Sequence, residues 1–151
     1  MLTKGSEYAL RALLYIQLQN WEGKRPGVVE IARNIEAPEA YSAKILHMLT
    51  SHQFLDSAKG RGGGFFYSDQ QAERALYDII VYLEGDRLFT SCGIGLKHCS
   101  DAQPCPLHHE FIKVREKLYN IFKNESIRSL SEKVRDGNAV LNWNNHTDNI
   151  S

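Results

Sequence analysis

No apolar run in the chain approaches the ~20 consecutive residues that a membrane-spanning helix needs. The apolar stretch at the N-terminus is interrupted by Lys4, Glu7 and Arg11. It therefore lacks the unbroken segment of a secretory signal, and the expected location is the cytoplasm. Net charge is missing too: 18 Lys and Arg balance 18 Asp and Glu. That excludes a bulk nucleic-acid coat and leaves any nucleic-acid role to the local placement of cations. Catalytic pairings are absent as well. There is no nucleophile–base pair, no phosphate loop leading into a helix and no paired carboxylates, so an enzyme is not expected. Cysteine is scarce and odd in number, so the three residues cannot all pair within the chain, and disulfides are rare in a reducing compartment. What remains is an ordinary globular composition, 42% hydrophobic and 24% charged over 151 residues, sufficient for one domain with a core of its own.

The hydrophobic spacing predicts a mainly α chain. Residues 5–19 read as a helix with Tyr8, Leu10, Leu13, Leu14 and Leu18 recurring at three and four. A polar loop over 20–27, with two glycines and a proline, separates it from a short helix over 28–35. Pro38 suits the first turn of a further helix running to about Ser51, with Ile45, Leu46 and Leu49 as its buried stripe. Two short helices joined by a tight turn fit a helix-turn-helix. The segment 54–68 follows, two apolar stretches flanking Lys59-Gly60-Arg61-Gly62-Gly63-Gly64, which reads as a β-hairpin with a basic, glycine-rich tip. A helix-turn-helix followed by such a hairpin is a winged helix.

That pattern points to DNA. Lys59 and Arg61 can meet phosphates or enter the minor groove, and Gly62 lets backbone N–H groups approach the sugar-phosphate chain. Glu39, Tyr41, Ser42 and Lys44 are the polar positions near the start of the candidate recognition helix, the end that faces base edges in helix-turn-helix proteins.

Beyond the hairpin, residues 70–85 read as one amphipathic helix closed by Gly85, and 107–123 as a second, with an apolar stripe of Phe111, Val114, Leu118, Ile121 and Phe122. That stripe suits either a dimer interface or packing within the chain. A short helix over 126–134 and a polar tail complete the chain. The expected organisation is a winged helix-turn-helix domain over 1–69, then a linker helix, cysteine loop and dimerisation helices over 70–135. A disordered tail over 136–151 follows.

Between the two long helices all three cysteines fall in a 14-residue window, as Cys92-x6-Cys99-x5-Cys105-x2-His108. Three thiolates and an imidazole complete a four-ligand set. Structural zinc usually shows Cys-x2–4-Cys knuckles, and both gaps here are longer. An iron–sulfur cluster is larger than one ion and suits wider gaps, and a histidine ligand on it is chemically reasonable. Unligated redox-sensing thiols are the third option. Spacing alone leaves these open, and His98 and His109 stand close to His108.

LTKGSEYALRALLYI, VVEIARNI, the Tyr41-to-Leu49 helix, KGRGGGF and a cysteine loop after an amphipathic helix together resemble the Rrf-type winged-helix transcription regulators. These include IscR-like iron–sulfur cluster regulators and NsrR-like nitric-oxide-sensitive repressors. The resemblance covers about residues 1–135. It implies a cytoplasmic homodimer on a pseudo-palindromic double-stranded DNA operator, with one cluster per subunit whose state controls DNA affinity. The cluster would be a [2Fe–2S] centre, with [4Fe–4S] as the other nuclearity, held by Cys92, Cys99, Cys105 and His108. Some relatives draw a ligand from an acidic residue on the first helix of the other subunit, which makes Glu7 of the partner subunit a rival to His108. Tyr41 and Lys44 would lie in the recognition helix, and Arg61 and Gly62 at the wing tip. Ala43 departs from the IscR-like pattern, which has an acidic residue there that tunes base choice. A cluster-free thiol or small-molecule sensor on the same scaffold, and a zinc-bound interaction module, are the alternative functions.

Overall fold

A computed structural model describes residues 1–68 and 70–141. Asp69 and residues 142–151 lie outside the described residues, so of the tail expected to be disordered over 136–151 only 136–141 are described. Helix α1 (Lys4–Trp21) starts where the Thr3 hydroxyl accepts from the Ser6 amide, and it runs two residues past the predicted end. Gly23, at φ +76°, turns the chain out of it. Helices α2 (Val28–Asn34) and α3 (Glu39–Ser51) form the helix-turn-helix. Pro38 stands just before α3, at its cap and not within its first turn.

Strands β1 (Asp56–Ala58) and β2 (Gly64–Phe66) pair antiparallel, with Ser57 opposite Phe65. The wing is anchored to the loop before α2. The Phe65 amide donates to the Pro26 carbonyl at 2.9 Å. Gly64 sits at φ +137°, and a Cβ there would lie 2.2 Å from the Arg25 carbonyl oxygen, so only glycine serves both demands. Asn20, near the end of α1, completes the anchor. Its side chain donates to the Phe65 carbonyl and accepts from the Tyr67 amide.

The single helix predicted over 70–85 is divided. A 3-10 turn spans Gln71–Glu73, Arg74 and Ala75 are extended, and α4 (Leu76–Glu84) begins after them. The cause is tertiary: Ala75 forms a β-bridge with Ser126, and the Leu76 amide donates to the Glu125 carbonyl at 2.9 Å. Backbone groups committed to a distant segment cannot also serve a helix. Gly85, at φ +80°, ends α4. A four-residue helix that sequence reading missed, α5 (Arg87–Thr90), leads into the cysteine loop. Helix α6 (His108–Asn124) follows, and α7 (Ile127–Arg135) returns to pack on α1.

One buried cluster takes in Leu13, Ile31, Leu46, Leu55, Ile80, Phe89, Phe122 and Ile127. The cluster draws residues from both sides of position 69. Among the described residues no helix is long and apolar enough to cross a membrane.

The last residue of α4 closes onto the start of α1. One oxygen of Glu84 accepts from the Thr3 amide (3.0 Å), the Thr3 hydroxyl (2.9 Å) and the Ser6 hydroxyl (2.5 Å). Burial alone would raise the Glu84 carboxyl. The hydrogen bonds from Ser6 and Thr3 outweigh it and hold the group below the usual carboxylate range. A depressed carboxyl contributes stability that is present above its unfolded value and lost as pH falls through the folded one. Glu84→Gln is therefore expected to cost about 1 kcal/mol at pH 7, the low end for hydrogen bonds to a partly exposed charge, or a few degrees in Tm. The gap to wild type should close as pH drops to the acid side of the carboxylate range. Thermal unfolding at neutral and acidic pH checks this, and a gap that stays constant would contradict it.

Candidate functional site

The cysteine loop is shaped by its glycines. Gly95, at φ +79°, closes a turn in which its amide donates to the Cys92 carbonyl at 3.0 Å. A Cβ at Gly93 would stand 2.5 Å from the Phe111 ring, so the absence of a side chain lets the loop lie directly on α6. Arg115 of α6 fastens the loop's entry, donating to the carbonyls of Thr90 (3.3 Å) and Ser91.

This folding brings the three sulfurs within 4.8 Å of one another. Cys92 Sγ lies 3.6 Å from Cys105 Sγ, and the Cys105 amide donates to Cys99 Sγ at 3.4 Å. His108, the first residue of α6, points its Nδ1 to within 3.1 Å of Cys99 Sγ. Its other nitrogen, Nε2, is 2.9 Å from Asp101 Oδ1. His108 is only 6% exposed. The neighbouring imidazoles, His98 and His109, are exposed.

The thiols differ. Amides of Ile94 and Leu96 donate to Cys92 and lower its pKa to about 7. Burial pushes the Cys105 thiol up. Three soft sulfurs within 4.8 Å of one another, with an imidazole nitrogen against one of them, form a donor set that fits an iron–sulfur cluster, which takes Cys with His substitution. Glu7 pairs with Lys4 of its own helix at 3.2 Å and is not among the groups gathered at the cysteines of its own chain.

The winged face holds the second group of residues. Glu39 and Lys44 are exposed on α3. Tyr41, 40% exposed, packs edge-on against Tyr8 at 5.8 Å, and its hydroxyl passes over Gly5. Ser42 is a correction to the expected DNA-facing set. It is 1% exposed, and its hydroxyl donates to the Pro38 carbonyl at 2.9 Å, so it secures the first turn of α3 from inside. The spacing of a helix places position 42 with Ile45, Leu46 and Leu49, and that periodicity was the available signal. Lys59, Arg61 and Gly62 are exposed at the wing tip, with Gly62 at φ +75°. Sequence reading missed Arg25, whose guanidinium stacks 3.9 Å over Phe66 at the wing root. It also missed Asp101 and Arg115. No spacing rule marks either, because each acts on a group brought to it by the fold.

A family model described as Rrf2, iron-dependent transcriptional regulator, matches residues 2–133. The chain is 29% identical over 141 residues to the HTH-type transcriptional regulator NsrR of Oceanobacillus iheyensis, covering 93% of this chain and 95% of that one. Among solved structures it resembles CymR, the global cysteine regulator of B. subtilis, with TM-score 0.71 and 17% identity over 87% of this chain and 96% of the other. It also resembles T. potens IscR, with TM-score 0.69 and 15% identity over 97% and 96%. At these identities the structural likenesses speak to the fold, a mostly helical winged-helix architecture with a two-stranded sheet.

The thiol asymmetry has a direct consequence, because the thiolate is the reactive form and its fraction rises with pH. In metal-free, reduced protein, iodoacetamide is expected to alkylate Cys92 with a midpoint near pH 7, while Cys105 reacts only at higher pH. Mass spectrometry of each cysteine peptide across a pH series measures both, and coincident midpoints would refute the asymmetry.

Proposed function

From the premise that the chain belongs to the Rrf2 family of transcriptional regulators, which are not enzymes, we propose that it is a homodimeric DNA-binding regulator. In this reading it senses iron–sulfur status, redox state or nitric oxide through an iron–sulfur cluster. The observation that carries this reading is the gathering of the Cys92, Cys99 and Cys105 sulfurs within 4.8 Å of one another at the start of α6, with His108 Nδ1 3.1 Å from one of them, Cys99 Sγ. The iron-dependent description of the matching family agrees with it. A [2Fe–2S] cluster fits a four-donor set of this kind. When bound, it supplies a redox-active and oxidant-labile group.

The chain's own residues would do the rest. The Ile94 and Leu96 amides favour the Cys92 thiolate, the ligand form. His108 offers a neutral nitrogen that holds less firmly than thiolate, which makes the site releasable. Gly93 and Arg115 bind the loop to α6, so a change in the loop reaches that helix. Val114 and Ile121, seven positions apart and so on one face of α6, are exposed apolar residues suited to contact with a second copy of the chain. A two-fold dimer would present two α3 helices to half-sites of a pseudo-palindrome about one helical turn, or a multiple of it, apart.

Two experiments test this. Anaerobically purified wild type should be coloured and contain iron and sulfide, and each of Cys92→Ala, Cys99→Ala and Cys105→Ala should contain much less. His108→Cys should retain the cluster more firmly, and Glu7→Gln should leave it nearly intact. A colourless wild type, or a cluster stripped by Glu7→Gln and tolerant of His108→Ala, would reject this ligand set. For DNA, Arg61→Ala should weaken operator binding and reduce the slope of log K against log salt by about 1, because one fewer phosphate is neutralised. Unchanged affinity and slope would remove the wing from the interface.

A further inference from the structure

We propose that Asp101 is a positioning residue that fixes the tautomer of His108, so that Nδ1, and not Nε2, is the lone-pair nitrogen on the side of Cys99 and the cysteine cluster. The assignment of Nδ1 as a metal ligand rests on the cluster reading above; the orientation of the ring does not. A neutral imidazole carries one N–H and one lone pair, and the partner of one nitrogen decides the role of the other. His108 is nearly buried, and each of its nitrogens faces one group: Nε2 faces Asp101 Oδ1 at 2.9 Å, and Nδ1 faces Cys99 Sγ at 3.1 Å. An ionised carboxylate has no proton to give, so Nε2 must be the donor. The lone pair then stands on Nδ1, on the side of the Cys99 sulfur. Without Asp101 the ring has a competing arrangement, in which Nδ1 keeps the proton and donates it to the Cys99 sulfur. That arrangement presents no lone pair to a metal.

The loop is built to hold the carboxylate there. Residues Ser100 to Gln103 form a closed turn with reciprocal backbone hydrogen bonds of 3.1 and 3.3 Å, and the Ser100 hydroxyl accepts from the Gln103 amide at 3.2 Å. Asp101 occupies the second position of that turn, two residues after Cys99 and on the solvent side, with its side chain 87% exposed. A carboxylate so exposed contributes little to packing, so its replacement should leave the fold intact. Its hydrogen bond goes to a buried ring nitrogen, His108 Nε2. Outer partners of this kind orient metal-ligating histidines in general, and losing one typically costs tenfold or more in metal affinity.

The test uses the full chain in two states. In metal-free, reduced, 15N-labelled protein at a pH where His108 is neutral, long-range 1H–15N correlation spectra read its tautomer directly. Wild type and Asp101→Asn, whose amide oxygen still accepts, should show the Nε2–H form. Asp101→Ala should shift His108 toward Nδ1–H, with unchanged Tm. In the anaerobically reconstituted protein, Asp101→Ala should lose its cluster about tenfold faster to a chelator, and Asp101→Asn should recover most of that difference. An unchanged His108 tautomer in Asp101→Ala would overturn the proposal. A tautomer shift in a protein whose wild type takes up no iron would uphold the positioning role of Asp101 and overturn the cluster reading instead.

Discussion

Burial of one face of α1 is the constraint on which the other elements depend. Ala9, Ala12, Leu13 and Ile16 are essentially inaccessible, and α2, α3, α4, α7 and β2 all pack on this one helix. The two alanines let neighbouring backbones come close. Leu13 and Ile16 supply the larger share of apolar area, about 1.5–3 kcal/mol each on full burial. Because the helix-turn-helix and the arm that carries the cysteines share α1 as a common support, neither can tilt without disturbing the same core. Asn20 and Glu84 add polar ties at the two ends of the rod, one to the wing and one to the end of α4.

That arrangement defines what lies between the cysteine loop and the recognition helix. Arg115 holds the loop's entry, and Gly85 separates α4 from α5. Glu84 grips Thr3 and Ser6, and between them Gly5 lies under the Tyr41 hydroxyl of α3. A second link is shorter. The Tyr82 hydroxyl of α4 donates to the Met48 carbonyl near the end of α3, and its ring stacks on His52 at 3.9 Å. If cluster loading changes operator affinity by some factor, operator binding changes cluster affinity by the same factor, because the linkage is reciprocal.

The site was legible in the sequence to the extent that its chemistry is local. Cys92, Cys99 and Cys105 stand out by residue type and crowding, and the fold does gather their sulfurs, while His108 meets one of them, Cys99. The wing was readable from its glycines and cations, since turns are specified by the few residues that can adopt them. Asp101 was not readable. Its role exists only because the turn from Ser100 to Gln103 aims it at a histidine seven positions away. Ser42 was misread for the converse reason: a polar residue type suggested an exposed face, while its helical phase put it among Ile45, Leu46 and Leu49.

Periodicity and turn chemistry by themselves determined most of the helices and the hairpin, because each is decided by neighbours within a few residues. Tertiary structure decided where those elements stop and what they face. The break at Arg74 and Ala75 exists because the chain near Ser126 offers backbone partners there. The grip of Glu84 on Thr3 joins residues 81 positions apart. The tautomer of His108 depends on a carboxylate that the fold delivers. In each case a polar group must find its partner across the molecule, and that partner is a fact of packing, not of local sequence.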